Sequence, residues 1–263
     1  MPASGDLSQV FTLLGSGDSL GVPRAGNKWG KCDPNNPKNR RSRACAIVQF
    51  ADHTLVIDIG ADFRYQMNDA NIVSIDTVFL THHHADHVNG LDDLRSYFNR
   101  TIKKPIPIYM QPQTITALES RFPYLSDTIA DYIPVDTSLE KITFHQCGDL
   151  SFSCFLQDHR GCYSLGFRFG DLAYSTDMAD LNQLAIDHLK GIKTWIVDGS
   201  AYHNKDTGKD THANLDKIYT LNQEIGAQFV YITNIGAAVD YQTLADELPA
   251  GYYPAYDGLS FKL

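Results

Sequence analysis

The sequence predicts an α+β (α/β) fold in which strand-rich sheets carry helices on their outer sides. Three observations lead there: short β-forming runs dominate the first third, two of them flank a tight turn, and the last third alternates helical with extended patterns. The first run is VFTLLG, from Val10, followed by a polar loop to Arg43. CAIVQF and TLVIDIG lie on either side of ADH, Ala51 to His53, and read as a hairpin; DTVFLTH, from Asp76, is a further apolar run. HVNGLDDLRSY, from His87, suggests a helix, and another is predicted between Gln111 and Phe122. Strands follow in KITFHQC, LSFSCFL, YSLGFRF and LAYSTD. LNQLAIDHLK reads as a helix with Asp180 as its candidate N-cap, and KTWIVDGS as a strand. NLDKIYTLNQEIG places Leu215, Ile218, Leu221 and Ile225 on one helical stripe, and QFVYIT is the strand after it.

The 263 residues, 43% apolar and 20% charged, suffice for a substantial core, and no repeat or long linker divides them, so one domain over 1–263 is expected. No apolar run approaches the roughly 18 to 20 residues of a membrane-spanning helix, and no secretion signal opens the chain; the expected location is cytoplasmic. Five scattered cysteines without a C-x-x-C pair indicate neither a disulfide framework nor a thiolate zinc clip. A net charge of -9 argues against tracking along nucleic acid and favours small substrates.

The chemistry gathers in LTHHHADHVNG, Leu80 to Gly90, which holds four of the ten histidines. These begin where an apolar strand runs out into a loop, a place where sites collect. In extended chain, residues two apart point the same way, so His82 and His84 can converge while His83 faces elsewhere. Asp86 and His87 supply a second group one step along. Imidazole and carboxylate ligands suit zinc, iron or manganese, and two such groups close together form a binuclear centre.

With this H-x-H-x-D-H pattern after a strand, the chain resembles the metallo-β-lactamase superfamily over nearly its whole length. LLGSGDSLGVP, IDIGADFR, NGLDDLR and LPAGYYPAYDGL further resemble its PhnP-like branch, named for a phosphodiesterase that opens phosphoribosyl cyclic phosphates. The resemblance implies a four-layer αββα sandwich of two mainly antiparallel or mixed sheets packed face to face. It implies a metal ligand after a downstream strand, where His159 is preferred to His145, which lies within a predicted strand. It also implies a bridging aspartate, Asp177, and a ligand-orienting aspartate, Asp58, for which a turn-forming role is the alternative. His212 resembles the branch's general acid, with His203 as the alternative donor; as a residue opening a helix it is expected to have a lowered pKa.

Two departures from the family pattern stand out. A last histidine is usual after the final core strand, but this chain has Asn234 and Gly236 there, so Asn234 becomes a weak ligand or an outer partner and the second metal is expected to bind less tightly. Relatives often carry a structural zinc cluster where only Cys32 occurs, so none is expected. Elsewhere, LGSGDSLG lacks the third glycine of a nucleotide loop, and the basic stretch Lys38 to Arg43, Arg64 and Arg95 are read as salt-bridged or solvated rather than as phosphate anchors.

The expected protein is a hydrolase with two divalent ions, zinc or manganese with iron as a further candidate, the second site only partly filled. A metal-bridging hydroxide would attack a small phosphodiester, cyclic or linear, with Asp86 and His212 in catalytic roles. The alternatives are an esterase, thioesterase or lactonase, and a degenerate metal-binding or sensing protein. The sequence leaves the physiological substrate, the native metal and homodimerisation open.

Overall fold

Along β1 (Val10–Gly15), Phe11 and Leu13 point into one apolar cluster and Leu14 into another. The next strand, β2 (Cys45–Phe50), divides likewise: Ala46, Val48 and Phe50 join Phe11, whereas Cys45 and Ile47 join Leu14. A strand apolar on both faces must be covered on both, by a second sheet on one side and helices on the other. In the computed structural model, which describes residues 9–98, 104–126, 128–204 and 210–263, that is the arrangement.

The first sheet continues with β3 (His53–Ile57), β4 (Thr77–Phe79), β5 (Ile106–Met110) and β6 (Ala130–Pro134). The second contains β7 (Thr143–Cys147), β8 (Leu150–Asp158), β9 (Tyr163–Phe169), β10 (Leu172–Ser175), β11 (Thr194–Asp198), β12 (Phe229–Thr233) and β13 (Tyr252–Pro254), while β14 (Leu259–Lys262) returns to the first. Their orders are β14-β1-β2-β3-β4-β5-β6 and β13-β12-β11-β10-β9-β8-β7. Each sheet is mixed: β14 through β3 and β7 through β10 pair antiparallel, while β3 through β6 and β10 through β13 pair parallel.

Parallel neighbours need crossovers, and helices make them. These include α1 (Phe63–Asp69), α2 (Ala85–Val88), α3 (Pro112–Arg121), α4 (Gln183–Leu189), α5 (Leu215–Ile225) and α6 (Tyr241–Glu247). Leu215, Ile218, Leu221 and Ile225 of α5 pack with Trp195, Val197, Val230 and Ile232 on the outer side of the second sheet. Between the sheets lie Phe11, Phe79, Phe152, Phe167 and Tyr174. The result is a four-layer αββα sandwich, the architecture that the resemblance implies.

Two local expectations are corrected. The helix drawn through HVNGLDDLRSY is α2 followed by a separate 3-10 turn, Leu91–Ser96. The break falls at Gly90, whose N–H donates to the Ile59 carbonyl and where a Cβ would lie 2.1 Å from the Gly60 oxygen. Only glycine permits that approach. Asn182, not Asp180, caps α4, its side chain accepting from the Ala185 N–H at 2.9 Å; Asp180 instead pairs with Lys217 at 2.8 Å. Lastly β5, β6, β13, β14 and α6 carried no pattern strong enough to assign.

His145, the rejected ligand candidate, lies in β7 with its ring stacked on Phe152 at 5.0 to 5.2 Å from Phe79 and Phe152. It is part of the packing. Near the C-terminus, Asp257 accepts from the backbone N–H and hydroxyl of both Ser16 and Ser42, at 2.7 to 2.8 Å, and so ties the end of the chain to the glycine loop. Asp257→Ala strands two backbone donors and is expected to lower unfolding free energy by about 2 kcal/mol, read as a lower denaturant midpoint at unchanged slope.

Candidate metal centre

The site is assembled from the ends of strands in both sheets. After β4, Leu80 still donates to the Tyr109 carbonyl; the chain then leaves the sheet, and His82 and His84 follow before α2 brings in Asp86 and His87. From the second sheet come His159, just beyond β8, Asp177, just beyond β10, and Asp198, the last residue of β11. Asp177 has φ of +47°, a left-handed turn that aims its carboxylate back over the strand ends. Two groups of ligand atoms result, His82, His84, His159 and Asp177 in one and Asp86, His87 and Asp177 in the other, each within 4.8 Å of one another. Asp177 belongs to both. His83 belongs to neither.

The distances have a pattern that hydrogen bonding does not explain. His82 Nε2 lies 3.6 Å and His159 Nε2 3.4 Å from Asp177 Oδ2, while His87 Nε2 is 3.2 Å from both Asp86 Oδ2 and Asp177 Oδ1. His84 Nδ1 faces His159 Nε2 at 3.3 Å. Yet the buried Nε2 atoms of His82 and His87 make no hydrogen bond. Buried nitrogens beside carboxylates, at contact distance but misaligned for a bond, are lone pairs aimed at common points between them. That geometry, with imidazole and carboxylate donors, fits divalent cations.

Outer contacts fix which nitrogen of each ring is free. His87 Nδ1 donates to Asp58 Oδ2 at 2.7 Å, and His159 Nδ1 to the Thr211 carbonyl at 2.7 Å. The Thr81 hydroxyl, 2.9 Å from Asp58 Oδ2, donates to that carboxylate and accepts from His82 Nδ1 at 3.0 Å. Asp58 also takes the Thr81 backbone N–H at 2.8 Å. The Nδ1 atoms of His82, His87 and His159 are thus held outward and their Nε2 atoms left facing inward. Asp58, fully buried, orients two ligands, and its φ of +64° gives it the turn as well.

The charges agree with this. Burial would raise the Asp177 pKa, but His87, His82 and His212 hold it well below the ordinary carboxylate range. Burial and the neighbouring His87 push His82 well below its usual value, so its ring is neutral. Burial alone would lower His87, yet Asp177 and Asp58 raise it well above, which makes cation binding there a proton-releasing event.

His212 stands at the edge, its ring 5.1 Å from that of His159. Its expected depression by a helix start is corrected: α5 begins only at Leu215 under an Asn214 cap, and His212 Nδ1 is bound to Asp198 Oδ2 at 2.6 Å. Burial lowers its pKa, but the Asp198 carboxylate outweighs that and lifts it to about 9. Asp198, fully buried, also accepts from the Met178 and Ser200 N–H groups. Sequence reasoning missed Asp198; the available signal was an acid ending the apolar run TWIVD. His203 is 61% exposed on its side chain and faces Glu247, outside both ligand groups and outside the further set that Asp177, Asp198 and His212 make beside them. Asn234, with φ of +63°, donates its side-chain N–H to Asp177 Oδ1 at 2.7 Å, the geometry of an outer partner.

The basic residues singled out earlier lie elsewhere. Lys38 sits over the rings of Tyr241 and Tyr256, Arg40 over Trp29, and Arg64 over Tyr65. Arg43 pairs with Asp62 and Arg95 with Asp92. Cys32 is buried, its sulfur 3.1 Å from Arg41 Nη2.

Comparison with known proteins places this architecture. Residues 53–235 match the model of the beta-lactamase superfamily domain. The chain is 29% identical over 256 residues to an octanoyltransferase of Porphyromonas gingivalis, covering 94% of this chain and 50% of that protein. It is 22% identical over 186 residues to a ribonuclease Z of Staphylococcus saprophyticus, covering 66% and 60%. The chain spans roughly half the length of the curated relatives it matches, between 42% and 60%. Among solved structures, a diphosphatase of the PhnP family superposes with a TM-score of 0.86 at 29% identity, covering 97% of both chains. Zinc-bound PqqB from Methylobacterium extorquens superposes with a TM-score of 0.75 at 18% identity, covering 97% of this chain and all of that one, a likeness of fold.

Thr81→Val keeps the side chain's shape but removes the hydroxyl that links His82 to Asp58. Competition titration against a chromophoric chelator should then show zinc affinity about 10- to 100-fold weaker, with the fold's circular dichroism retained.

Proposed function

The chain belongs to the beta-lactamase superfamily domain family, within its PhnP-like metallohydrolases, and on that premise we propose that it is a binuclear hydrolase of small phosphodiesters, cyclic or linear, or of diphosphates. The observation that carries this reading is the pair of ligand groups sharing Asp177, with the Nε2 atoms of His82 and His87 buried and unbonded between carboxylates. His82, His84, His159 and Asp177 would hold one cation; Asp86, His87 and Asp177 would hold the other. Divalent cations seated there would supply Lewis acidity toward phosphoryl oxygens and activate water at neutral pH. One imidazole with two carboxylates is a harder donor set than three imidazoles with one, so the second position favours zinc less and manganese more.

The chain's own groups complete the chemistry. Asp86 is partly exposed, and burial, which raises its pKa, is outweighed by the hydrogen bond and charge of His87, which lower it; it stays ionised and can accept a hydrogen bond from the attacking water. His212, protonated through its bond to Asp198, faces the site across the His159 ring and is the donor to the departing oxygen. Asp198 keeps that proton in place and orients the imidazole. Asn234, by holding Asp177 Oδ1, fixes the orientation of the shared carboxylate.

The diphosphate reading has its own support, the 29% identity over 97% of both chains to a PhnP-family diphosphatase. A P–O–P linkage and a phosphodiester present the same electrophile, with two non-bridging oxygens and one leaving oxygen. A net charge of -9 weighs against RNA as substrate, since polynucleotide binding draws on dense cationic surface.

Turnover of a panel of cyclic and linear phosphodiesters and organic diphosphates by zinc- or manganese-reconstituted protein tests the proposal; hydrolysis of carboxylic esters or lactones alone would overturn it. His212→Ala should lower kcat about 10²- to 10⁴-fold for alkoxide leaving groups, and much less for p-nitrophenolate, with metal content unchanged. The pH profile gives a second check. His212 is a raised-pKa acid, so its active form is present below about 9 and lost above it; Asp198→Asn removes the charge that raises it, and the alkaline limb of kcat should move to lower pH.

A further inference from the structure

A second site lies on the other side of the first sheet from its partner. There a groove of about 930 Å³ runs between the loop after the glycine turn and helix α1. That is large enough for a small organic ligand, whose pockets span roughly 300–1,000 Å³. Its walls carry Leu20 and Tyr65, which are 53% and 63% exposed, one from the loop and one from the helix. Four arginines also line it, Arg24, Arg40, Arg41 and Arg43, in a chain whose net charge is negative.

Two of these arginines are incompletely satisfied. Arg41 is 1% exposed and has no carboxylate within bonding distance; its Nη2 donates to Asn39, to the Val239 carbonyl and to the Cys32 sulfur, and its Nε has no partner. The buried Nε of Arg24 is also unpartnered, although its Nη2 pairs with Asp18 at 3.2 Å. Arg40 lies exposed over the Trp29 ring, 5.2 Å from its centroid. Of the groove's three carboxylates, Asp62 is paired with Arg43, Asp257 is taken by Ser16 and Ser42, and Asp69 is exposed on the last turn of α1. The buried Arg41 puts positive charge beneath the groove, and the exposed ends of Arg24 and Arg40 can donate to an anion in it.

We propose that this groove is a binding site for a small phosphate monoester with an apolar or aromatic body, separate from the metal centre. The phosphate engages the exposed guanidinium ends of Arg24 and Arg40, with the buried charge of Arg41 beneath them, and the body lies between Leu20 and Tyr65. The site is close to the catalytic loop without being part of it: the Arg43 Cβ and the Asp86 carbonyl both approach Gly60, at 3.8 and 2.0 Å from where its Cβ would be. A ligand here can therefore act as an effector.

The test is fluorescence titration of the metal-loaded protein with phenyl phosphate. Of the two tryptophans, Trp195 is fully buried in the second sheet, so a change reports Trp29 beneath Arg40. Saturable binding is expected, about tenfold or more weaker in the Arg24→Gln/Arg40→Gln double variant and weakened also in Tyr65→Ala, with metal content and thermal midpoint retained. Phenol should give no such response. Asp177→Ala, or the chelated wild type if that variant does not fold, should keep the signal, which separates failure of the groove from failure of the metal centre. Unchanged affinity in both groove variants, equal binding of phenol, or loss of the signal with the metal centre would overturn the proposal.

Discussion

The carboxylate of Asp177 is the contact on which the site depends. It is 3% exposed, and a bare charge at that depth would cost several kcal/mol. It is tolerated because His82, His87 and His159 approach it from three sides and Asn234 donates to it from a fourth. These partners lie up to 95 residues from it in sequence, so the carboxylate can be neutralised only after both sheets have formed and met. The left-handed turn that carries it is the local strain that this convergence repays.

A second, concentric layer makes the first useful. Asp58, Thr81, the Thr211 carbonyl and Asp198 touch no common centre, yet they decide the tautomer or charge of four histidines. His82 is held neutral, whereas His212 is kept cationic. The same side-chain type thus serves as ligand in one place and acid in another, according to what its Nδ1 meets and what faces its Nε2.

What the sequence made legible was what short spacing controls. His82, His84, Asp86 and His87 were readable because two-residue alternation and one helical turn fix their directions within six residues. The hairpin of β2 and β3, and the amphipathic stripe of α5, follow from equally local periodicity. Asp198 was invisible for the opposite reason: it meets His212 14 residues later in the chain, and no periodicity links them. The pKa of His212 was misjudged in sign because the nearer dipole was weighed and the farther carboxylate was not. Short elements such as β13 and α6 escaped since their apolar content is supplied by neighbours rather than by a pattern of their own. The arginine groove is likewise a product of long-range folding, with Arg24 and Arg41 brought together by the pairing of Val22 with Arg41.

The division of the ligands between two sheets has a mechanical side. His82, His84, Asp86 and His87 hang from the first half of the chain, and His159 and Asp177 from the second. A cation gripped by both halves would be a rivet as well as a reagent, setting how far the two sheets can shear past one another. Loading state and stiffness would then rise and fall together, and the opening of the sandwich would be governed from its catalytic rim.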